Sequence, residues 1–224
     1  MNRVLDSLTR VDAGFLRPHL ERVPLGLNAV LYEEGVTMTH VYFPVSGMIS
    51  LVTRIGRASV ESATVGSEGM LGLPLFLAAG ASQGKWIVRI RGEAWRLSAA
   101  AFTDSVERSP AFSASLKRYT AARLWVTYRS AGCSLRHTLA SRSARWLLFV
   151  HDRVPGDEFE LTHANLAEML GVRRAGVTLA LGPLLRNGII SSRRGRMTIL
   201  DRERLEAEAC ECDAIIRSRY ESLF

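Results

Sequence analysis

The residues with the clearest chemical potential are Arg173, Arg174, Arg186, Arg193, Arg194 and Arg196, set against Glu168 alone among the charged positions from Leu161 to Leu200. A guanidinium is a rigid fork of donors that matches phosphate oxygens and, in the major groove, the paired acceptors on a guanine edge. Arg173, Arg174 and Thr178 fall at the start of a helical pattern, where side chains can reach base edges. Arg193, Arg194 and Arg196 surround Gly195 in a basic hairpin suited to phosphates. The chemistry expected is binding to double-stranded DNA, with positive charge concentrated where the fold would meet the duplex.

These side chains need particular elements beneath them. From Leu161 the chain reads helix, tight turn, helix: Thr162 is an N-cap, Leu166, Ala167 and Leu170 make the first apolar face, and Gly171 makes the turn. Val172 fits the angle between the helices, and Val177, Leu181 and Leu184 continue the core of the second. Gly182-Pro183 predicts a bend or an early end near Leu181, because proline removes the bond to the carbonyl of Leu179 and crowds it. Gly188 to Leu200 then alternates as two short strands, forming a wing.

The preceding region has a different texture. Short runs at Ala29–Tyr32, His40–Phe43, Met48–Arg54, Ser59–Val65, Trp86–Arg91 and Ala94–Leu97 predict an antiparallel sandwich or barrel. Glu34-Gly35, Ser46-Gly47, Ile55-Gly56-Arg57 and Arg91-Gly92-Glu93 sit between them as turns. Ser98 caps a short helix over Ala99 to Val106, and Ser109-Pro110 opens a long one reaching about Leu135. On the long helix Phe112, Leu116, Tyr119, Val126 and Cys133 follow a heptad-like stripe interrupted by Arg123 and Ser130. That stripe either packs on the chain's own sheet or forms a dimer interface, and its place between two domains favours the dimer. A further helix, about His137 to Arg153, ends at Val154-Pro155-Gly156-Asp157.

Composition bounds the alternatives. The chain has 224 residues, 47% hydrophobic and 23% charged, with a formal net charge of +7, which suits globular domains and excludes a disordered chain. Gly69 to Ala81 and Trp146 to Val150 are too short or too interrupted to span a bilayer, and the first residues lack an apolar signal core. A cytoplasmic protein without a membrane partner is expected. The acidic stretch from Glu203 to Asp213 should lie away from the DNA.

Cys133, Cys210 and Cys212 cannot pair completely, and Cys210-x-Cys212 fits no common zinc or disulfide framework without partners elsewhere, so reduced thiols and no metal are expected. The same pair read as redox-active is the less favoured alternative. An iron-sulfur sensor would need about four cysteines, and none precedes Cys133. Haem would need an axial ligand, for which His19 and His40 are candidates better read as surface or hydrogen-bonded residues. Metal-dependent enzymes of the β-roll type need several histidines and a carboxylate on one metal, whereas Leu25 to Ser98 contains only His40. No enzyme, no catalytic residue and no resident cofactor are expected.

Taken together, these residues resemble the Crp/Fnr family of bacterial transcription regulators, most strongly over Leu161 to Ile199 and at Tyr42-Phe-Pro-Val-Ser-Gly-Met-Ile-Ser-Leu followed by Gly66 to Leu73. The resemblance implies an α+β chain: an N-terminal antiparallel β-roll of the cupin-like jelly-roll type over 1–108, a long dimerisation helix over 109–136 and a winged helix-turn-helix over 137–224. It implies a homodimer on a two-fold symmetric operator, with RNA polymerase as a further partner. Thr162 and His163 resemble the family's phosphate contacts, and Arg174 its base-reading arginine.

The departures bear on the effector, whose identity stays open. Cyclic-AMP-binding members carry an acidic residue and then an arginine beside a small hydroxyl residue, whereas this chain offers Gly69-Met70-Leu71-Gly72 and Ser82-Gln83-Gly84-Lys85. A buried phosphate needs a matched cation and the ribose needs an acceptor. Glu68, Gly69, Met70, Leu71, Gly72, Ser82, Gln83 and Lys85 therefore form a candidate effector pocket that is not expected to hold cyclic AMP in the family's usual way. Ala175 and Leu179 replace further base contacts of the cyclic-AMP receptor, so a different operator sequence is expected.

Overall fold

The computed structural model describes residues 2–56 and 58–223. The chain divides into two compact units, one comprising residues 1–52, 63–125 and 220–224, the other residues 53–62 and 126–219.

An antiparallel sheet of five strands, β1 (Glu21–Leu25), β2 (Val30–Tyr32), β3 (His40–Ile55), β4 (Ala58–Val65) and β5 (Lys85–Ser98), is the framework of the first unit, apart from residues 53–62 at the end of β3 and in β4, which are counted with the second. The order is β1-β5-β3-β4, with β2 also paired to β5. Leu25, Tyr32, Met38, Tyr42, Ile49, Val65, Leu71, Trp86, Val88 and Ala94 form its buried core. Short helices α1 (Arg3–Asp6), α2 (Arg10–Leu16) and α3 (Leu73–Phe76), with the longer α4 (Ala99–Arg108), complete the unit. The Ser98 hydroxyl accepts from Ala101 N and caps α4, as its sequence position predicts.

The sequence pattern breaks β3 and β5 into two strands each, and the structure joins them. Ser46-Gly47 and Arg91-Gly92-Glu93 are not hairpin turns; they face one another across the β3–β5 ladder, where the register shifts between Pro44 and Ile49. A Cβ on Gly47 would lie 2.5 Å from Ile90 O, and one on Gly92 would lie 2.2 Å from Ser46 O. Glycine is required at both positions because the two backbones approach too closely for a side chain, a facing-bulge arrangement that lets long paired strands bend together. Of the expected turn Ile55-Gly56-Arg57, Arg57 lies outside the described residues.

The 27-residue helix α5 (Pro110–Arg136) starts from Ser109, whose hydroxyl accepts from Phe112 N. The expected dimer stripe is corrected here. Phe112, Leu116 and Tyr119 are fully buried in their own chain, Cys133 is 2% exposed, and Phe112 packs edge-on against Phe102 with ring centroids 5.9 Å apart. This face is intrachain core, and Val126 on it is half-buried. The large apolar residues that α5 leaves in water, among those described, are Leu124, Tyr128 and Leu135, at 50%, 69% and 87% exposure.

The second unit contains α6 (Leu139–His151), β6 (Glu158–Glu160), α7 (His163–Leu170), α8 (Arg174–Arg186), β7 (Ile190–Arg193), β8 (Arg196–Ile199), α9 (Arg202–Glu208) and α10 (Cys212–Glu221) up to Arg219, with Tyr220 and the residues after it counted in the first unit. Strands β6, β8 and β7 form a second antiparallel sheet in that order. Leu147, Leu166, Val177, Leu181, Ile190, Met197 and Leu205 are among its buried residues. The early end expected at Gly182-Pro183 does not occur, since α8 continues through Pro183 to Arg186. Pro183 and Leu179 are exposed, so the carbonyl that the proline leaves without a helical donor sits on the watered side of the helix.

Candidate nucleic-acid interface

Helix α7 begins at Thr162, whose hydroxyl accepts from Asn165 N at 3.1 Å, and ends at Gly171 with φ 65°, ψ 38°. The left-handed residue reverses the chain in the space of Gly171 and Val172, and Arg173 then stands at the N-cap of α8. Leu166, Ala167, Leu170, Val177, Leu181 and Leu184 are all buried, so the two helices pack on the apolar residues that the sequence assigns to them. The pairing leaves Arg173, Arg174 and Thr178 exposed at the start of α8.

His163 Nδ1 lies 3.0 Å from Thr178 Oγ1, and Thr178 Oγ1 also donates to Arg174 O at 3.2 Å. The first residue of α7 is thus fixed to the second turn of α8, and among the described residues His163 Nε2 has no hydrogen-bond partner. Thr162, His163, Arg174 and Thr178 form one contiguous polar group. The positive end of a helix dipole and free backbone N–H groups at the start of α8 add to the attraction for phosphate.

The wing forms as its sequence predicts. Ile190↔Ile199 through Arg193↔Arg196 pair in register, and Arg194 (φ 50°) with Gly195 (φ 79°) makes the two-residue turn with both central φ positive. Arg193 and Arg194 are exposed. Arg196 is also exposed but forms an ion pair with Glu158 on β6, which raises its pKa and holds the guanidinium against the sheet. Among the described residues, Arg196 is the wing arginine engaged in an ion pair. The wing packs beside the start of α7, where Leu161 N donates to Gly195 O at 2.9 Å.

Apart from Gln83, the candidate effector residues are occupied within the chain. Glu68 is buried, and its Oε1 accepts from Gly66 N at 3.0 Å. Ser82 donates to Gly84 O at 2.6 Å, Lys85 pairs with Glu33 at 3.0 Å on the surface, and Gln83 is exposed. Gly69 and Met70 lie under Tyr119 of α5, whose hydroxyl accepts from Met70 N at 3.1 Å, and Leu71 is paired with Tyr42, its N donating to Tyr42 O at 2.8 Å. Gly72 is closed off by Val41, 2.4 Å from where its Cβ would be. The Asn2 amide donates to Pro44 O and Gly69 O at 2.8 and 2.7 Å, covering the same segment.

Sequence reasoning missed Arg123. It reads as a break in the apolar stripe of α5, yet its guanidinium donates to Thr64 O at 2.6 Å and Tyr220 Oη at 3.1 Å. Burial alone would lower its pKa; the phenols of Tyr220 and Tyr119, with Glu68 beyond, outweigh that and raise it. The first unit therefore carries a charged guanidinium beside Glu68. As for the haem candidates, His40 Nδ1 is 3.0 Å from Thr39 Oγ1, and His19 is exposed.

Comparison with known proteins agrees with this geometry. The Crp-like helix-turn-helix domain family matches residues 141–208. No curated protein sequence matches the chain. Among solved structures, a Crp/Fnr-family transcriptional regulator from Eubacterium rectale superposes with a TM-score of 0.70 at 18% identity, covering 95% of this chain and 98% of its own. A Crp/Fnr regulator from Thermus thermophilus, TTHA1359, gives 0.69 at 21% identity over 84% and 98%. FixK2 from Bradyrhizobium japonicum gives 0.67 at 17% over 85% and 98%. Residues 141–208 form a Crp-like helix-turn-helix domain, and the chain as a whole has the fold of the Crp/Fnr transcription regulators.

Proposed function

We propose that the protein is a sequence-specific DNA-binding transcription regulator, not an enzyme, acting as a homodimer on a two-fold symmetric operator. The observation that carries this reading is the placement of Arg173, Arg174 and Thr178 at the exposed start of α8, next to Thr162 and His163 and with Arg193 and Arg194 on the wing. Arg174 reads a base, Thr162, His163, Arg193 and Arg194 hold phosphates, and Arg196 contributes less because Glu158 holds it.

The dimer contact lies on the face of α5 opposite the one the stripe first suggests. Exposed Ala121, Leu124, Tyr128, Ala131 and Leu135 recur at alternating intervals of three and four residues, the seam of a two-helix coil. A large apolar stripe of this kind in water calls for a partner, and a second copy presents the same spacing. Two recognition helices would then address half-sites about 34 Å apart.

The β-roll unit does not bind cyclic AMP in the usual manner on this reading. Tyr119, Glu68, Ser82 and Lys85 are engaged with Met70, Gly66, Gly84 and Glu33, which leaves no matched cation and acceptor pair for a cyclic phosphate and a ribose at the expected positions.

Selection of duplexes from a random DNA pool at two salt concentrations tests the proposal. A palindromic consensus bound with steep salt dependence supports it. Absence of enrichment at both salts, with and without cyclic nucleotides, would instead favour a winged domain that serves a protein partner.

A further inference from the structure

Away from the DNA-facing residues, the second unit brings together the three cysteines of the chain and one histidine. Cys133 lies in the last turn of α5, and His137 follows it by one helical turn, with His137 N still donating to Cys133 O at 3.0 Å. Both side chains therefore lie on one face. Cys210 sits in the loop after α9, and Cys212 opens α10. One ligand atom from each residue lies within 4.8 Å of every other. Cys133 Sγ is 3.6 Å from Cys210 Sγ, and Cys212 Sγ is 3.8 Å from His137 Nδ1.

We propose that Cys133, His137, Cys210 and Cys212 form a structural binding site for one tetrahedral divalent metal ion of the zinc class. Three sulfurs and one imidazole nitrogen are a zinc donor set, and bond lengths of about 2.3 Å to sulfur put neighbouring ligands roughly 3.8 Å apart at tetrahedral angles. The observed separations match that spacing. Iron-sulfur clusters of two or four irons need their ligands spread around a larger inorganic core. All four positions are filled by protein, so the site leaves no open coordination for catalysis.

The surroundings fit a bound cation and not merely a set of thiols. His137 Nδ1 faces the sulfurs, while its Nε2 is 3.1 Å from Glu211 Oε2, the carboxylate-histidine pairing that fixes a ligating imidazole in the correct tautomer. Three thiolates, one neutral imidazole and a doubly charged metal carry one net negative charge. Arg129 answers it by donating from Nε to Cys212 Sγ at 3.3 Å. Half-buried Arg145 lies near enough to Cys133 and Cys210 to act electrostatically on both, and its buried Nε has no hydrogen-bond partner among the described residues. All three sulfurs are buried, so a bound ion would be shielded from water.

Metal content and cobalt spectroscopy on the full chain decide the matter. Protein purified under reducing conditions without chelator should carry one zinc per chain. After removal of that zinc, Co(II) should titrate in at one equivalent with strong visible bands of tetrahedral geometry and near-ultraviolet thiolate charge transfer. Cys210→Ser should abolish the stoichiometric signal. Because that change alters the core, Glu211→Gln serves as the second variant: its side chain is 60% exposed, so the fold should persist while metal affinity falls about 10- to 100-fold. Folded, reduced wild type that takes up neither ion overturns the site. So does a Cys133–Cys210 disulfide without metal, bound iron with sulfide, or metal whose affinity ignores both variants. None of these outcomes bears on DNA binding, so the two readings fail separately.

Discussion

The phenol of Tyr119 fills the space that a side chain at residue 69 would need: a Cβ on Gly69 would stand 2.0 Å from the Tyr119 hydroxyl and 2.4 Å from its Cζ. The same hydroxyl accepts from Met70 N, so helix and loop are locked by shape and by a buried hydrogen bond. Gly69→Ala should destabilise the chain by about 1 to 3 kcal/mol through overpacking. Tyr119→Phe should cost about 1 to 3 kcal/mol by leaving Met70 N unsatisfied in the core. Urea denaturation of both variants measures this, and wild-type midpoints for both would overturn the packing account.

The α5 faces make opposite predictions. Leu124→Glu with Tyr128→Glu should convert a dimer to a monomer in sedimentation equilibrium while leaving circular dichroism intact, since both residues stand at least half exposed. Phe112→Ala should instead cost about 3 to 5 kcal/mol of fold stability, because it empties a fully buried position against Phe102. A dimer that survives both glutamates would place the interface elsewhere.

The uneven legibility of these features has physical causes. The helix-turn-helix was readable because its determinants are local: a cap at Thr162, a left-handed glycine at 171 and apolar spacing within a few turns. Which side of α5 turns inward is decided by residues on other elements, Gly69 far back in the chain and Phe102 on the preceding helix, and the interrupted heptad could not reveal it. Gly47 and Gly92 read as turns because glycine serves both turns and close backbone approach, and only the cross-strand partner separates the two. The metal-ligand cluster was hidden for a similar reason. Cys210-x-Cys212 lacks a partner in its neighbourhood, and the matching Cys133 and His137 lie at and just after the end of α5, far earlier in the chain.

Arg174→Ala should lose about 1 to 3 kcal/mol on the selected operator and relax preference at one base position, whereas Arg194→Ala should weaken all sequences alike and lower the salt slope by about 1. The contrast rests on their positions, the first on the opening turn of α8 and the second at the wing turn. Binding isotherms on cognate and random duplexes at several salt concentrations measure it. Equal losses on both DNAs for both variants would sink the division of roles.

Asp12 gives a pH signature in the β-roll unit. Its carboxylate accepts from the Ser109 and Thr9 hydroxyls, Ser109 being the larger influence, and its pKa lies below the ordinary 3.8. A lowered folded-state value means that the ionised form contributes stability above the unfolded pKa, and that this contribution is lost as pH falls through the lowered value. Asp12→Asn should therefore be less stable than wild type at pH 7, with the gap closing in acid. A gap independent of pH would assign the loss to packing instead of charge.

Pro183 lies within α8 at a cost that its surroundings reduce. Its ring denies the Leu179 carbonyl a helical partner, but both residues are exposed, so water can serve the carbonyl, and Gly182 before it has no Cβ to crowd the ring. Pro183→Ala restores the donor and should raise stability by about 1 to 3 kcal/mol. DNA affinity should not change, because Arg173, Arg174 and Thr178 all precede the substitution and are fixed by the Gly171 turn and the His163 contact. Thermal melting with operator titration separates the two effects. Unchanged stability would mean that the proline's restriction of the unfolded chain balances the lost hydrogen bond, and lost DNA affinity would mean that the proline helps set the direction of the recognition helix.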